Sequence, residues 1–259
     1  MTGSDATTWP LGPGSDAKAR AWLVQGAPVG PAPRQAASLC LLRDEPGSRA
    51  VQVLWITRGR QLAVAPGALA FPGGAVDDVD RVPRPDQPGP PDRFAVLARA
   101  AARELAEETG HVVAPRASGP LVRWVTPEHE PRRFDTTFLV AVLPPGDDPE
   151  PLPPGEVHEH GWARPVDLLA DVVAGRRTAL PPTRAVLARL ARAVDVAGPA
   201  ARPPGGAAAV VAVLRREAVL VPVVPRAAWR ERDDTADDTP DDTMRGVDLL
   251  LPRHAGEVP

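Results

Sequence analysis

"RELAEETG", Arg103 to Gly110, sets three glutamates within five positions. It closes the run "RFAVLARAAARELAEETG", Arg93 to Gly110, in which Leu97, Ala101 and Leu105 recur every four residues, as do Ala98, Ala102 and Ala106. That spacing predicts an amphipathic helix. Asp92 stands ahead of it as an N-cap, and Gly110 follows as a C-terminal stop. On such a helix Glu104 lies beside both Glu107 and Glu108, because residues three and four apart share a face. Like charges so placed repel by roughly 0.2–0.5 kcal/mol per pair. A divalent cation among the carboxylates relieves that repulsion, and oxygen-only ligands select Mg²⁺ or Mn²⁺. Because Mg²⁺ keeps waters and binds substrate phosphates, an open carboxylate cluster suits phosphate chemistry. A solvated acidic helix face is the other reading of the same residues.

Upstream, "AASLCLL" (residues 36–42) and "AVQVLWITR" (residues 50–58) are short apolar runs parted by "DEPGS", and they read as adjacent strands. "GALAFPGG" (residues 67–74) reads as a further strand ending at Gly73-Gly74. A proline-rich loop then leads to Asp92. Downstream, "LVRWVT" and "RFDTTFLVAVL" read as strands, and "VHEHGWARP" as a strand entering the helix "VDLLADVVAG". "PPTRAVLARLARAVDVAG" reads as a second amphipathic helix with proline at its start. "AVLVPVV" and "VDLLLP" are two last strand-like runs. Strands and helices mix without strict alternation, which predicts an α/β fold with a mixed sheet and helices on its faces.

"FPGG" followed by "REL·EE·G" resembles the Nudix hydrolase family, whose signature is G, five residues, E, seven residues, then R-E-U-x-E-E-x-G-U with U apolar. Arg103, Glu104, Leu105, Glu107, Glu108 and Gly110 match its second half, with His111 at the last U. With Gly74 as the opening glycine, Asp80 stands in place of the first glutamate, and Asp77 falls where many members carry a further acid. The spacing departs: residues 81–102, 22 in number, stand where the pattern has seven. The surplus is the proline loop. The interrupted box, "VAPGALAFPGG", "WVTPEHEPRRFDTTFLVAVLP" and "GW·RP…LPPT" look like the subgroup of peroxisomal-type acyl-coenzyme A diphosphatases. Of the coenzyme A motif, Arg58 and Gly67 fit, whereas Ile56, Gly59 and Ala63 do not.

The resemblance implies an α/β/α sandwich and hydrolysis of a nucleoside diphosphate linked to another moiety. Coenzyme A or its acyl esters are the first candidates, with ADP-ribose, dinucleotides and nucleotide-sugars as alternatives. A non-catalytic nucleotide-binding sensor is the rival of another class. Glu104, Glu107 and Glu108 would hold Mg²⁺ or Mn²⁺ and Arg103 would orient Glu107. Gly73 and Gly74 would admit phosphate close to the backbone, and Arg58, Arg132 and Arg133 would meet substrate charge. The general base stays open among Glu128, Glu156 and Glu159. Trp124 and Trp162 read as core or lid residues ahead of a base-stacking shelf, and "HEH" (residues 158–160) lacks a third ligand for zinc.

Residues 1–35 are expected to be a tail or wrap, 36–200 the hydrolase domain, and 201–259 an extension with strands and an acidic loop, packed on the same domain. The run "ERDDTADDTPDD" (residues 231–242) holds seven acids and one arginine, and it reads as a solvated loop. The net charge is −3, but without that run 26 acids face 29 bases. The remainder can attract an anionic small molecule, and nothing in the balance favours nucleic acid or membrane. Cys40, the single cysteine, sits in an apolar run and reads as a small hydrophobe. It excludes an intrachain disulfide, and with no secretory pattern in view the cytoplasm is the expected compartment. A homodimer is compatible with these features.

Overall fold

The computed structural model describes residues 8–10, 13–48, 50–59, 65–83, 90–144, 146, 157–201, 205–217, 219–223, 226–229 and 247–250. In chain order come β1 (Thr8–Pro10), α1 (Pro13–Val24), β2 (Arg34–Asp44), β3 (Val51–Arg58), β4 (Leu69–Ala70), β5 (Gly73–Ala75), α2 (Asp78–Arg81) and α3 (Arg93–Thr109). They are followed by β6 (Gly119–Val125), β7 (Phe134–Val142), β8 (Val157–Ala163), α4 (Pro165–Val173), α5 (Pro181–Ala197), α6 (Gly206–Arg216), β9 (Val219–Val223), β10 (Arg226–Trp229) and β11 (Val247–Leu250). The chain divides into two compact units. One comprises Gln35–Arg123 and Thr136–Val221, the other Met1–Arg34, Trp124–Asp135 and Pro222–Pro259.

The larger unit is built on an eight-stranded mixed sheet ordered β4-β3-β2-β7-β6-β9, with β5 paired to β2 and β8 to β3. The two expected first strands pair antiparallel with Leu42 opposite Val53, and the Pro-Gly break between them is their turn. "GALAFPGG" does not form one strand. β4 lies on β3 with Ala70 opposite Ile56, whereas β5 lies on β2 with Gly74 opposite Ala37. Pro72, having no amide hydrogen, cannot extend the first ladder. Its carbonyl accepts from the Leu39 N–H (2.8 Å) and the Ser38 hydroxyl (3.0 Å) instead, and the chain crosses from β3 to β2 at that point.

Helix α3 matches its expected span and caps. Asp92 Oδ1 accepts from the Ala95 N–H at 2.7 Å, and Gly110 ends the helix at φ 75° with its N–H on Ala106 O. The stripe of Leu97, Ala101 and Leu105 joins Leu39, Leu41, Leu54 and Leu139 in one buried cluster. Each large apolar side chain so buried contributes roughly 1.5–3 kcal/mol. Cys40 and Leu42, on the alternate positions of β2, project to the opposite face of the sheet. Cys40 is fully buried, and burial pushes its thiol pKa up, so it is the inert hydrophobe the sequence predicts. Helices cover both faces. Among them is α6, which the sequence reading passes over: "GAAAVVAVLRR" is nearly all small and apolar, so it shows no polar face. Its start is capped by a strand end, where Asp44 accepts from the Gly205 N–H at 2.7 Å and the Ala207 N–H at 2.8 Å.

In the smaller unit β1, β11 and β10 form an antiparallel sheet, in register with Trp9 opposite Leu249 on one side and Ala227 opposite Leu249 on the other. Residues 13–24, expected to be aperiodic, are helix α1. Its apolar residues trace no stripe, and polar contacts hold it. Arg20 meets Asp16 at 2.6 Å, one turn apart, Lys18 meets Glu130 at 2.8 Å, and the Ser15 hydroxyl also donates to Glu130. Gly30 passes so close to the Glu128 backbone that a Cβ would lie 2.4 Å from its carbonyl oxygen. The acidic run 231–242, residues 84–89 of the proline loop and Glu156 lie outside the described residues. Among the described residues no helix is long and apolar enough to cross a membrane.

Candidate active site

Arg103 is the centre of the acidic cluster. Its Nε and Nη2 grip Asp80 at 3.3 and 3.0 Å. Nη1 donates to Glu104 Oε1 at 2.9 Å and to Glu107 Oε2 at 3.0 Å, and Nη2 also reaches the Ala75 carbonyl at 3.0 Å. Asp77 Oδ2 lies 3.7 Å from Nη2. Repulsion among the helix carboxylates is therefore met in part by an internal cation, an answer that the spacing alone does not give. These bonds, led by the one to Asp80, push the Arg103 pKa further up. Glu104 is half-buried, and burial raises its carboxyl pKa, with Glu107 and Asp77 adding to the rise and Arg103 opposing it.

Asp80 is buried, 3% exposed. It sits in α2, a single turn in what the sequence presents as loop. Asp80 Oδ2 accepts from the Asp77 N–H at 2.9 Å, and the Asp80 N–H donates to Asp77 O at 3.1 Å. The acid that follows Gly74 across five intervening residues thus meets the arginine that opens the second half of the box, despite the residues added between them. Sequence reading placed Asp80 in the pattern but gave it no role. The signal was there, since an acid in a box frame needs a cation.

Gly73 and Gly74 bring β5 against the helix. A Cβ on Gly73 would lie 2.4 Å from Ala37 O and 2.5 Å from Ser38 Cα. A Cβ on Gly74 would fall 2.4 Å from Glu104 Oε1, so the glycine leaves the space in which that carboxylate rests. The Gly73 N–H donates to Glu108 Oε2 at 2.9 Å. Glu104 and Glu107 share Arg103 while Glu108 turns to the strand. No three His, Cys, Asp or Glu side chains among the described residues are gathered as a metal group. The donor set is nonetheless all oxygen, and two of its carboxylates already converge on one cationic group, which suits a hard divalent ion.

The cationic candidates separate. Arg132 is exposed, and Arg58 ends β3, partly buried. Arg133 corrects the expectation of an open phosphate clamp. It is buried, 8% exposed, and it donates to Thr126 O at 3.0 Å and Pro31 O at 2.7 Å. A buried guanidinium must find acceptors, and backbone carbonyls supply them. Trp124 is buried, and Trp162 packs on the core beneath α3 with Arg43 over its ring at 4.3 Å and His111 edge-on at 5.4 Å. Glu128 is partly buried in the smaller unit, and Glu159 is exposed on β8.

The NUDIX domain family matches residues 33–182. A NUDIX hydrolase from Alicyclobacillus acidocaldarius is similar in structure at 26% identity and a TM-score of 0.51, over 62% of this chain and 92% of its own. RenU, a Nudix hydrolase from M. smegmatis, is 24% identical over 63% of this chain and 86% of its own, with a TM-score of 0.38. The NUDIX domain of Shewanella oneidensis NrtR, in complex with ADP ribose, is 18% identical over 54% and 78%, with a TM-score of 0.39. No curated protein matches the chain. With the family spanning more than half of its residues and the box arginine seated on the box acid, the chain belongs to the NUDIX domain family and is a Nudix hydrolase, an enzyme that acts on diphosphates.

Proposed function

We propose that the enzyme is a Mg²⁺- or Mn²⁺-dependent diphosphatase cleaving a nucleoside diphosphate linked to another moiety. The observation that carries this reading is the grouping of Glu104, Glu107 and Asp80 on Arg103, with Glu108 against Gly73 on the facing strand. Glu104, Glu107 and Glu108 would hold the metal, which when bound supplies charge screening for the diphosphate and a more acidic water. Arg103 orients Glu104 and Glu107 in this reading. Gly73 and Gly74, lacking side chains, let β5 close on β2 and on the Glu104 carboxylate, which seats the metal-holding group against the strand. The domain that performs this is residues 36–200, supported by the family match over 33–182; residues 1–35 and 201–259 flank it.

Within that class the first substrate to try is coenzyme A or an acyl ester, on the resemblance carried by the interrupted box and "VAPGALAFPGG". Such a substrate has a 3′-phosphate that needs a cation. Arg58 and Arg132 are the candidates, now that Arg133 is occupied by backbone. The test is product chromatography on matched coenzyme A, dephospho-coenzyme A and ADP-ribose reactions, with Mg²⁺, Mn²⁺ or EDTA. Metal-dependent release of 3′,5′-ADP from coenzyme A is the expected result. Cleavage of ADP-ribose with coenzyme A intact would remove the coenzyme A assignment and keep the diphosphatase one. Full turnover in EDTA would overturn the metal reading.

A further inference from the structure

Arg99 stands one helical turn before Arg103 on α3, among Ala98, Ala100 and Ala101, and all four are buried. A charged group 3% exposed costs several kcal/mol unless its donors are met. Arg99 Nη1 donates to Val82 O at 2.7 Å and, at a longer 3.4 Å, to Asp80 O. Those carbonyls belong to the C-terminal end of α2. A helix of four residues has almost no internal partners for its carbonyls, so Arg99 supplies what the turn cannot. The same turn is held at its other functional group by the neighbouring arginine, since the Asp80 carboxylate lies on Arg103.

We propose that Arg99 is a positioning residue of the hydrolase site. It fixes the backbone of α2 so that Asp80 stays on Arg103, and Arg103 in turn keeps Glu104 and Glu107 in place. Val82 lies among the 22 residues, 81–102, that stand where the shorter pattern has seven. Anchoring its carbonyl to α3 fixes the C-terminal end of α2 independently of the chain that follows. In a box of the shorter spacing fewer residues part the acid from the arginine, so the demand for this second tether arises from this chain's own longer spacing. The proposal rests on the assignment of the glutamates as the metal-holding group, and the test is built to separate the two.

The experiment uses the full chain carrying Arg99→Met or Arg99→Lys. In metal-free protein, hydrogen exchange at the Asp77 and Asp80 amides is followed, because both amides bond within the turn. Steady-state kinetics on ADP-ribose and coenzyme A and a Mn²⁺ titration by electron paramagnetic resonance complete the set. Arg99→Met is expected to speed exchange at both amides by about tenfold or more, as local opening becomes easier. It is expected to lower kcat by about 10- to 100-fold with KM within about twofold, the pattern of a misplaced group. Arg99→Lys, with one donor able to reach Val82 O, is expected to recover part of each. A variant that is folded by near-ultraviolet circular dichroism, with wild-type exchange, kcat and Mn²⁺ affinity, would overturn the proposal. So would a fall in kcat that tracks only the folded fraction. If Arg99→Met does not fold, Arg99→Lys carries the same comparison. Wild-type protein that neither binds Mn²⁺ nor cleaves either substrate would remove the assigned activity, and exchange at the two amides would still decide the role of Arg99.

Discussion

Arg103 and Asp80 stand 23 positions apart in the chain and meet at 3.0 Å between Nη2 and Oδ2. This one contact shows that the box closes across its insertion. β5, the turn of α2 and helix α3 meet at this arginine, through Ala75 O, Asp80 and Arg103 itself.

Asp80→Ala is expected to lower stability by roughly 1–3 kcal/mol, the scale for leaving hydrogen-bonding groups unmet. Arg103 would keep Glu104 and Glu107, which limits the loss, but the Asp77 N–H would lose its acceptor. Urea unfolding measures the change. An unaltered midpoint would show that Arg103 does not depend on this partner.

Gly74→Ala tests the seat of Glu104. The new methyl would need the space 2.4 Å from Oε1, and the flexible carboxylate is what yields. Stability is expected to change little, whereas kcat is expected to fall by about 10², the effect of a displacement near 1 Å at a reacting centre. A variant with near-normal kcat would mean that the position of Glu104 is not critical.

Glu107→Gln and Glu108→Gln are each expected to lower kcat by at least about 10², the scale for lost electrostatic stabilisation of a transition state. Their stabilities are expected to stay within about 1 kcal/mol of the parent, because Glu107 takes part in a solvent-exposed pair and an amide oxygen at position 108 can still accept from Gly73. Relief of repulsion favours stability that holds or rises; for Glu107 the loss of its bond to Arg103 offsets that relief. Turnover assays beside thermal melts decide the point.

His129 contributes an acid-side loss to the pH dependence of stability. Its side chain is buried against Trp22 in the smaller unit, and burial holds its pKa below the usual value of 6.5, with Lys18 pulling the same way and Glu130 opposing. The folded chain thus keeps His129 neutral where the unfolded chain takes a proton. Stability contributed by this group is complete above pH about 6.5 and declines as pH falls through that value, by up to about 1.4 kcal/mol per pH unit. His129→Phe is expected to flatten the decline. Denaturant titrations at pH 5, 6 and 7.5 on both proteins test it, and parallel slopes would place the acid sensitivity elsewhere.

The sequence was most legible where periodicity, cap and stop agreed, as they do from Asp92 to Gly110. It failed where stability comes from contacts that leave no period. Helix α1 is held by Asp16, Lys18 and Ser15 rather than by a stripe, and α6 is apolar on every side. Arg99 was invisible because an arginine in an alanine-rich helix reads as a solvent-facing residue, and only its buried acceptors reveal otherwise. Arg133 misled for the same reason: charge in sequence does not say whether a guanidinium meets phosphate or a carbonyl. Asp80 was seen as a pattern position, yet its bond to Arg103 required the turn of α2, which four residues cannot announce.

The cap that Asp44 places on α6 has a bearing on the order in which the chain acquires its structure. Its two acceptor oxygens bond amides 161 and 163 positions further along. Strand β2 is made early in synthesis and must hold that carboxylate solvated until α6 emerges. Contacts of such separation close late, since chain closure has to precede any gain from them. Asp44→Ala is therefore expected to hasten unfolding while leaving the folding rate almost unchanged, as stopped-flow kinetics would read, and α6 would then act as a latch on kinetic lifetime.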